Sequence, residues 1–222
     1  MEIEAFVHGA MCMSYSGRCL LSSFFTGRDA NQGACTHPCR WKYTLMEEKR
    51  PGEYYPVFEN DRGSYIFNSK DLNMIAHIPD LIEAGVDSLK IEGRMKTELY
   101  VATVTRTYKM AIQDYLLNPE KYRKNIPFYE DEIRKCTYRE YSTGFYYQKP
   151  TEEGQIYGNN TYSAGATYLG TVEKVEGDFA YLTQKNKFRV GEEIAIMRPG
   201  DTDIFTKVLS MEDAETGESL DS

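Results

Sequence analysis

Residues Ser69–Leu117 read SKDLNMIAHIPDLIEAGVDSLKIEGRMKTELYVATVTRTYKMAIQDYLL, and the periods within this stretch decide the fold class. Ser69 suits a helix N-cap, with Leu72, Ile75 and Ala76 recurring behind it at helical spacing. Pro79 opens a second short helical piece that Gly85 closes. VDSLKIEG then alternates as a strand does, and Thr97–Leu117 carries the apolar stripe of a long amphipathic helix. Helix, strand and long helix in succession are the alternation that builds α/β proteins around parallel sheets.

Downstream, Asn118–Pro127 shifts to Asn, Pro and Lys and reads as a domain boundary. ATYLGTVEKVEGDFAYLTQKNKFRVGEEIAIMRPGD, from Ala166, differs in kind. Its short alternating runs, split by Glu-Gly-Asp, Lys-Asn-Lys and Pro-Gly-Asp turns, predict a small antiparallel β-barrel. Between the two lies an aromatic-rich segment, YREYSTGFYY (Tyr138–Tyr147). It suits packing of a linker onto the larger domain, or stacking on a splayed base. The expected organisation is therefore residues 1–125, a linker over 126–164, and a β domain over 165–222.

Upstream, Ile3–Val7 predicts a strand ending near Gly9, and strands are expected around Trp41–Glu47, Tyr54–Glu59 and Ser64–Phe67. Asn60-Asp61-Arg62-Gly63 supplies a turn between the last two. Gly9–Arg40 is rich in Gly, Ser and Asn and reads as a long functional loop with one short helix near Leu20–Phe25. It holds four of the five cysteines: Cys12, Cys19, Cys35 and Cys39, spaced C-x6-C-x15-C-x3-C. In a reduced compartment such thiols suit zinc or an iron–sulfur cluster. Neither pair has the C-x2-C spacing of a zinc knuckle, and a cluster tolerates ligands from an irregular loop better. Four small buried apolar residues are the plain alternative. Cys136 stands apart.

The totals exclude several classes. With 41% hydrophobic and 13% aromatic residues in 222, the chain can bury a core. A formal charge of −8 argues against nucleic-acid binding through bulk charge. Local basic groups at Arg40/Lys42, Lys121–Lys124 and Lys185–Lys187 read as solvated faces. No apolar run approaches the ~18 residues that span a bilayer, and acidic residues stand where a signal peptide needs positive charge. A cytoplasmic protein with reduced cysteines, not bound to a membrane, is expected.

EAFVHGAMCMSYSGRCLLS (Glu4–Ser22) resembles the signature of the U32 peptidase-like family, E-x-F-x-x-G-[AS]-x-C-x6-C-x-x-S. GRDANQGACTHPCRWKY, RPGEYYPVFENDRGSYIFNSKDL and GVDSLKIEGRMKTELYVATVTRTYKMAI extend the likeness over nearly the whole chain. The resemblance implies a TIM-barrel-like catalytic domain followed by a small β domain. It also implies a [4Fe–4S] cluster on four cysteines, here Cys12, Cys19, Cys35 and Cys39. Among the family's sister groups, RDxNQGxCTxxCRWxY is most similar to those acting in oxygen-independent tRNA uridine hydroxylation. That likeness implies 5-hydroxyuridine formation, tRNA as partner and prephenate as cosubstrate. The first 125 residues are too few for a barrel of about 250. The expectation is thus the C-terminal part of a TIM-barrel-like domain, needing a missing N-terminal half or partner subunit, with a truncated β domain behind it.

The family's founding label implies an alternative, a collagenase-like protease. The chain has no H-E-x-x-H and no G-x-S-x-G, and His8, His37 and His77 have no Ser or Asp at diagnostic spacing. A Cys12–His8 pair is conceivable, but a cysteine committed to a cluster cannot also be a nucleophile. A third reading is a non-catalytic RNA-binding or cluster-carrying subunit. For the hydroxylase, an anionic cosubstrate calls for a cation such as Arg, whose fork matches a carboxylate. Carboxyl ends of barrel strands face the active site, which makes Lys90, Glu92 and Arg94 candidates, with His8 a second strand-end candidate. A salt-bridged strand end and a hydrogen-bonded core histidine are the plain readings of the same residues. Asn68, Ser69 and Lys70 form a lower-ranked group.

Overall fold

A computed structural model of the chain describes residues 1–12, 14–15, 18–41, 43–45, 49, 51–52, 55–56, 69–149, 154, 156 and 164–222. It divides into two compact units, Met1–Thr97 with Tyr138–Tyr162, and Glu98–Thr137 with Ser163–Ser222. The architecture is mixed α/β, and no barrel closes among the described residues.

The first unit is built on a four-stranded sheet. Its strands are β1 (Glu4–Gly9), β4 (Asp71–Asn73), β5 (Ser88–Ile91) and β6 (Tyr141–Ser142), in the order β5-β1-β4-β6. The sheet is not the all-parallel one that the barrel expectation requires. β1 runs parallel to β5 (Phe6 opposite Lys90) and β4 parallel to β6, but β1 and β4 are antiparallel, with His8 opposite Asn73. Between β1 and β4 come α1 (Leu21–Thr26) and a two-residue antiparallel pair, β2 (Thr44–Leu45) with β3 (Tyr55–Pro56). The strand expected over Ser64–Phe67 and the turn at Asn60–Gly63 lie outside the described residues.

One local expectation is corrected here. Leu72 belongs to strand β4 and not to a helix capped by Ser69. The reason is tertiary: Asp71 N–H bonds Glu140 O at 2.8 Å on one side, and Met74 N–H bonds Val7 O at 3.0 Å on the other. Sheet partners on both flanks outweigh a weak local preference. A 3-10 turn at Ile75–His77 then leads into α2 (Ile78–Glu83), which carries Pro79 in its first turn. Val7, Leu72, Met74, Ile75, Ile78 and Leu81 are buried together in this unit's core. Each contributes about 1.5–3 kcal/mol.

The second unit pairs α3 (Glu98–Leu117) with α4 (Pro119–Arg134). Asn118–Pro127, a boundary by composition, is mostly helix: the Asn118 Oδ1 accepts from Glu120 and Lys121 N–H at 3.1 and 3.2 Å and caps α4. Tyr122, Tyr129 and Ile133 fall at helical spacing and are buried, as are Tyr100, Val104, Tyr108 and Ala111 of α3. Tyr129 donates to Asp114 at 2.6 Å. In place of the expected small β-barrel, the described residues of this unit form three separate antiparallel pairs. They are β7 (Gly170–Glu176) with β8 (Phe179–Gln184), β9 (Glu193–Ile196) with β10 (Ile204–Lys207), and β11 (Met211–Glu212) with β12 (Ser219–Leu220). Arg106 of α3, Glu132 and Lys135 meet Asp203 in a largely buried ionic network. No described helix is long and apolar enough to cross a membrane.

Candidate functional site

β1 delivers the chain into the cysteine segment through Gly9, whose φ is +112°. A Cβ there would stand 2.5 Å from Glu92 O, so only glycine lets β1 end against the end of β5. α1 follows and ends on Gly27, and Asp29 Oδ1 accepts from Asn31 N–H at 2.8 Å to start a 3-10 turn over Ala30–Gln32. Inside the segment the hydroxyls of Ser22 and Thr26 each bond that of Thr36 at 3.1 Å, and Thr36 N–H donates to Ser22 Oγ at 3.0 Å. Side-chain hydroxyls thus do the work that a regular ladder does elsewhere. The buried Arg40 donates to Met11 O at 2.5 Å and ties the segment's two ends together.

Cys12 is exposed, while Cys19, Cys35 and Cys39 are half-buried, and all are free thiols. Burial pushes the Cys39 thiol up; Arg40 pulls it down, and Cys12, Cys35 and Cys19 each push it up again. The charge state of each of the other three thiols therefore bears on that of Cys39. Ser14 and His37 N–H groups point at the Cys12 and Cys35 sulfurs, both at 3.4 Å. In kind, the donor set fits a thiolate-bound metal or cluster: four sulfurs, backbone N–H groups directed at two of them, and a buried guanidinium alongside. The side chains are not drawn to ligand distance, and among the described residues no three His, Cys, Asp or Glu are arranged to hold an ion. Cys136 lies in the other unit, buried, with its thiol directed at Leu99 O at 3.8 Å.

His37, between the last two cysteines, is the one non-glycine residue with positive φ (+55°) among those described. Burial pushes its imidazole down to about 4, helped by Arg40, Arg139 and Lys96, with Asp71 opposing. Buried Arg139 donates its N–H to Asp71 Oδ2 at 3.3 Å. The imidazole is therefore held neutral by burial and by the positive charge of these three residues. Sequence reading missed this grouping, because Arg139 is far along the chain and only the β4–β6 pairing brings it back.

The strand-end candidates fall in different places. Lys90 is half-exposed, bonded to Glu4 Oε1 at 2.8 Å and poised 5.1 Å over the Phe6 ring. Glu92 accepts from Arg94 N–H at 3.2 Å, and Arg94 Nη1 donates to Gln32 O at 3.0 Å, inside the cysteine segment. Arg94 therefore joins the end of β5 to that segment, whereas Lys90 faces β1. His8 is buried on β1, 5.4 Å from the Tyr141 ring. Burial pushes its pKa down to about 3, with a hydrogen bond to Asn73 pulling up and Lys96 pushing down. Asn68 is outside the described residues; Ser69 Oγ reaches Met11 O at 3.5 Å and Lys70 pairs with Glu140 at 3.1 Å. In Tyr138–Tyr147, Tyr146 donates to Phe6 O at 2.6 Å, and Tyr147 bonds His77 Nδ1 at 2.7 Å and Asp80, so both anchor the segment to its own unit.

Comparison with known proteins matches both parts of the chain. A family model described as "Peptidase family U32" matches residues 1–156, and one described as "Peptidase family U32 C-terminal domain" matches 165–222. The "tRNA hydroxylation protein P1" of Bacillus subtilis is 38% identical over 224 residues, covering 100% of this chain and 52% of the relative. The "tRNA hydroxylation protein P" of Escherichia coli is 35% identical over 268 residues, covering 99% of this chain and 56% of the relative. A "Collagenase" of Porphyromonas gingivalis is 35% identical over 217 residues, covering 94% and 50%. The chain spans about half the length of these curated relatives. No solved structure matches it.

Proposed function

The chain belongs to the U32 peptidase family, and from that membership we propose that it takes part in oxygen-independent hydroxylation of tRNA uridine. The observation that carries this reading is its likeness, along its whole length, to a relative named a tRNA hydroxylation protein. Cys12, Cys19, Cys35 and Cys39 would hold a [4Fe–4S] cluster, which supplies a one-electron route when bound. Arg40 offsets negative charge beside these thiols and fastens Met11, one residue before the first of them. The cations around His37 suit a carboxylate-bearing cosubstrate such as prephenate, because opposite charge and forked donors favour it in a desolvated site. Arg94 holds the Gln32 carbonyl and so the approach to Cys35.

Iron and sulfide quantitation on anaerobically reconstituted protein tests the cluster. About four irons and four sulfides per chain are expected, falling sharply in Cys12→Ser and Cys39→Ser. A colourless protein holding one zinc overturns it. In cells supplied only with the complete gene, the same substitutions are expected to abolish 5-hydroxyuridine in tRNA; full retention overturns the assignment. The relative named collagenase favours proteolysis as a second reading. Gelatin cleavage that survives replacement of all four cysteines would establish it.

A further inference from the structure

Beside the cysteines lies a group of aromatic rings that the reading above leaves unused. Phe25 of α1 sits 6.2 Å from Trp41 and 5.9 Å from Tyr43, Trp41 and Tyr43 stack at 6.4 Å with 23° between planes, and Phe24 meets Phe25 edge-on at 5.2 Å. These rings are not core. Phe24 is 83% exposed, Phe25 46% and Trp41 44%. Tyr43 donates its hydroxyl to Pro38 O at 2.9 Å, which fixes the group one residue from Cys39. Exposed aromatic clusters of this size mark interaction surfaces.

Charge indicates the occupant. Within Gly9–Tyr43 the charged residues are Arg18, Arg28, Arg40 and Lys42 against Asp29 alone, a formal +3 (four minus one) in a chain of −8. Stacked and tilted π-faces on a segment of net positive charge, with Arg18 and Arg28 exposed on it, are what an unpaired nucleotide needs: a face for the base and positive charge for the phosphate. A protein surface of mainly apolar character would be matched by neither the cations nor the paired ring planes.

We propose that Phe24, Phe25, Trp41 and Tyr43 form a stacking platform that takes an unpaired nucleobase of single-stranded RNA next to the thiol group. The inference rests on the tRNA reading and adds where the base is held. Trp41 is the single tryptophan of the chain, so its fluorescence reports the platform directly. Titrating the 222-residue chain with a short stem-loop RNA bearing unpaired loop uridines should quench Trp41 emission saturably. A fully paired duplex of the same stem should leave it unchanged. Phe25→Ala should weaken stem-loop binding, followed by anisotropy of a labelled RNA, roughly tenfold, with Phe25→Leu keeping the apolar bulk as a check that folding is intact. RNA that binds in a mobility shift without altering Trp41 emission overturns the platform and leaves the tRNA reading standing. Equal quenching by stem-loop and duplex also overturns it, as charge-only binding. Failure to bind any RNA overturns both.

Discussion

The cysteine segment of the first unit and the helix pair of the second are held by opposite means. Arg106 and Glu132 are 6% exposed each and, with Lys135 and Asp203, form a four-residue ionic network over a tyrosine-rich core. Burial pushes the Asp203 carboxyl up, but hydrogen bonds from Lys135 and Arg106 outweigh it and hold the carboxyl low. The cysteine segment has short turns, two hydroxyls bonded to a third and two guanidinium-to-carbonyl contacts, with aromatic rings left outside. Candidate chemistry gathers on the part with the least regular structure, where side chains from separate turns can converge, and the scaffold elsewhere supplies stability.

The largest effect is expected from breaking the network. Arg106→Ala leaves Glu132 and Asp203 buried without their guanidinium and should cost about 3–5 kcal/mol, read as a lower midpoint in urea unfolding. If reconstituted iron content in native conditions falls in step with that loss, the two regions are less independent than their construction indicates.

Next comes acid. The unfolded chain's histidine takes up a proton near pH 6.5, while buried His8 resists until about 3. Within that window the unfolded state binds more protons, so stability falls as pH falls, by up to about 1.4 kcal/mol per unit. His8→Asn should flatten the pH dependence of the unfolding midpoint between about 6 and 4. An unchanged slope would mean that His8 is not kept neutral.

Gly33→Ala probes the cysteine segment itself. Gly33 has φ +75°, and the Arg94 side chain occupies the space its Cβ would need. Left-handed strain alone costs about 1–2 kcal/mol, and displacement of Arg94 should lower iron retention beyond what the small change in melting temperature accounts for. The smallest effect is expected at the α4 cap. Asn118→Ala should cost about 1 kcal/mol in thermal melts and leave iron content unaltered.

Much of the organisation was legible beforehand. α2, β5 and α3 lie close to where period and punctuation place them, because Pro79, Gly85 and the apolar stripe of Thr97–Leu117 act over a few residues. β4 was not legible: Leu72, Ile75 and Ala76 carry a helical period, and only β1 and β6 on either side turn Asp71–Asn73 into a strand. α4 is hidden in the sequence for the opposite reason, since its Asn, Pro and Lys composition masks the buried positions Tyr122, Tyr129 and Ile133. Among the candidate site residues, the four cysteines announce themselves by type and spacing. His37 with Arg139 does not, nor does the Phe25–Trp41–Tyr43 group, since their members come from separate turns.

By itself the sequence determined the family and the α/β class, both of which depend on residue identity and local period. Only the tertiary structure decided that β4 runs antiparallel to β1, that the charges of Arg139 and Lys96 act on His37, and that Phe25 meets Trp41 and Tyr43. These are contacts between residues distant in the chain. Their free energy comes from burial and pairing that exist only once the segments have met.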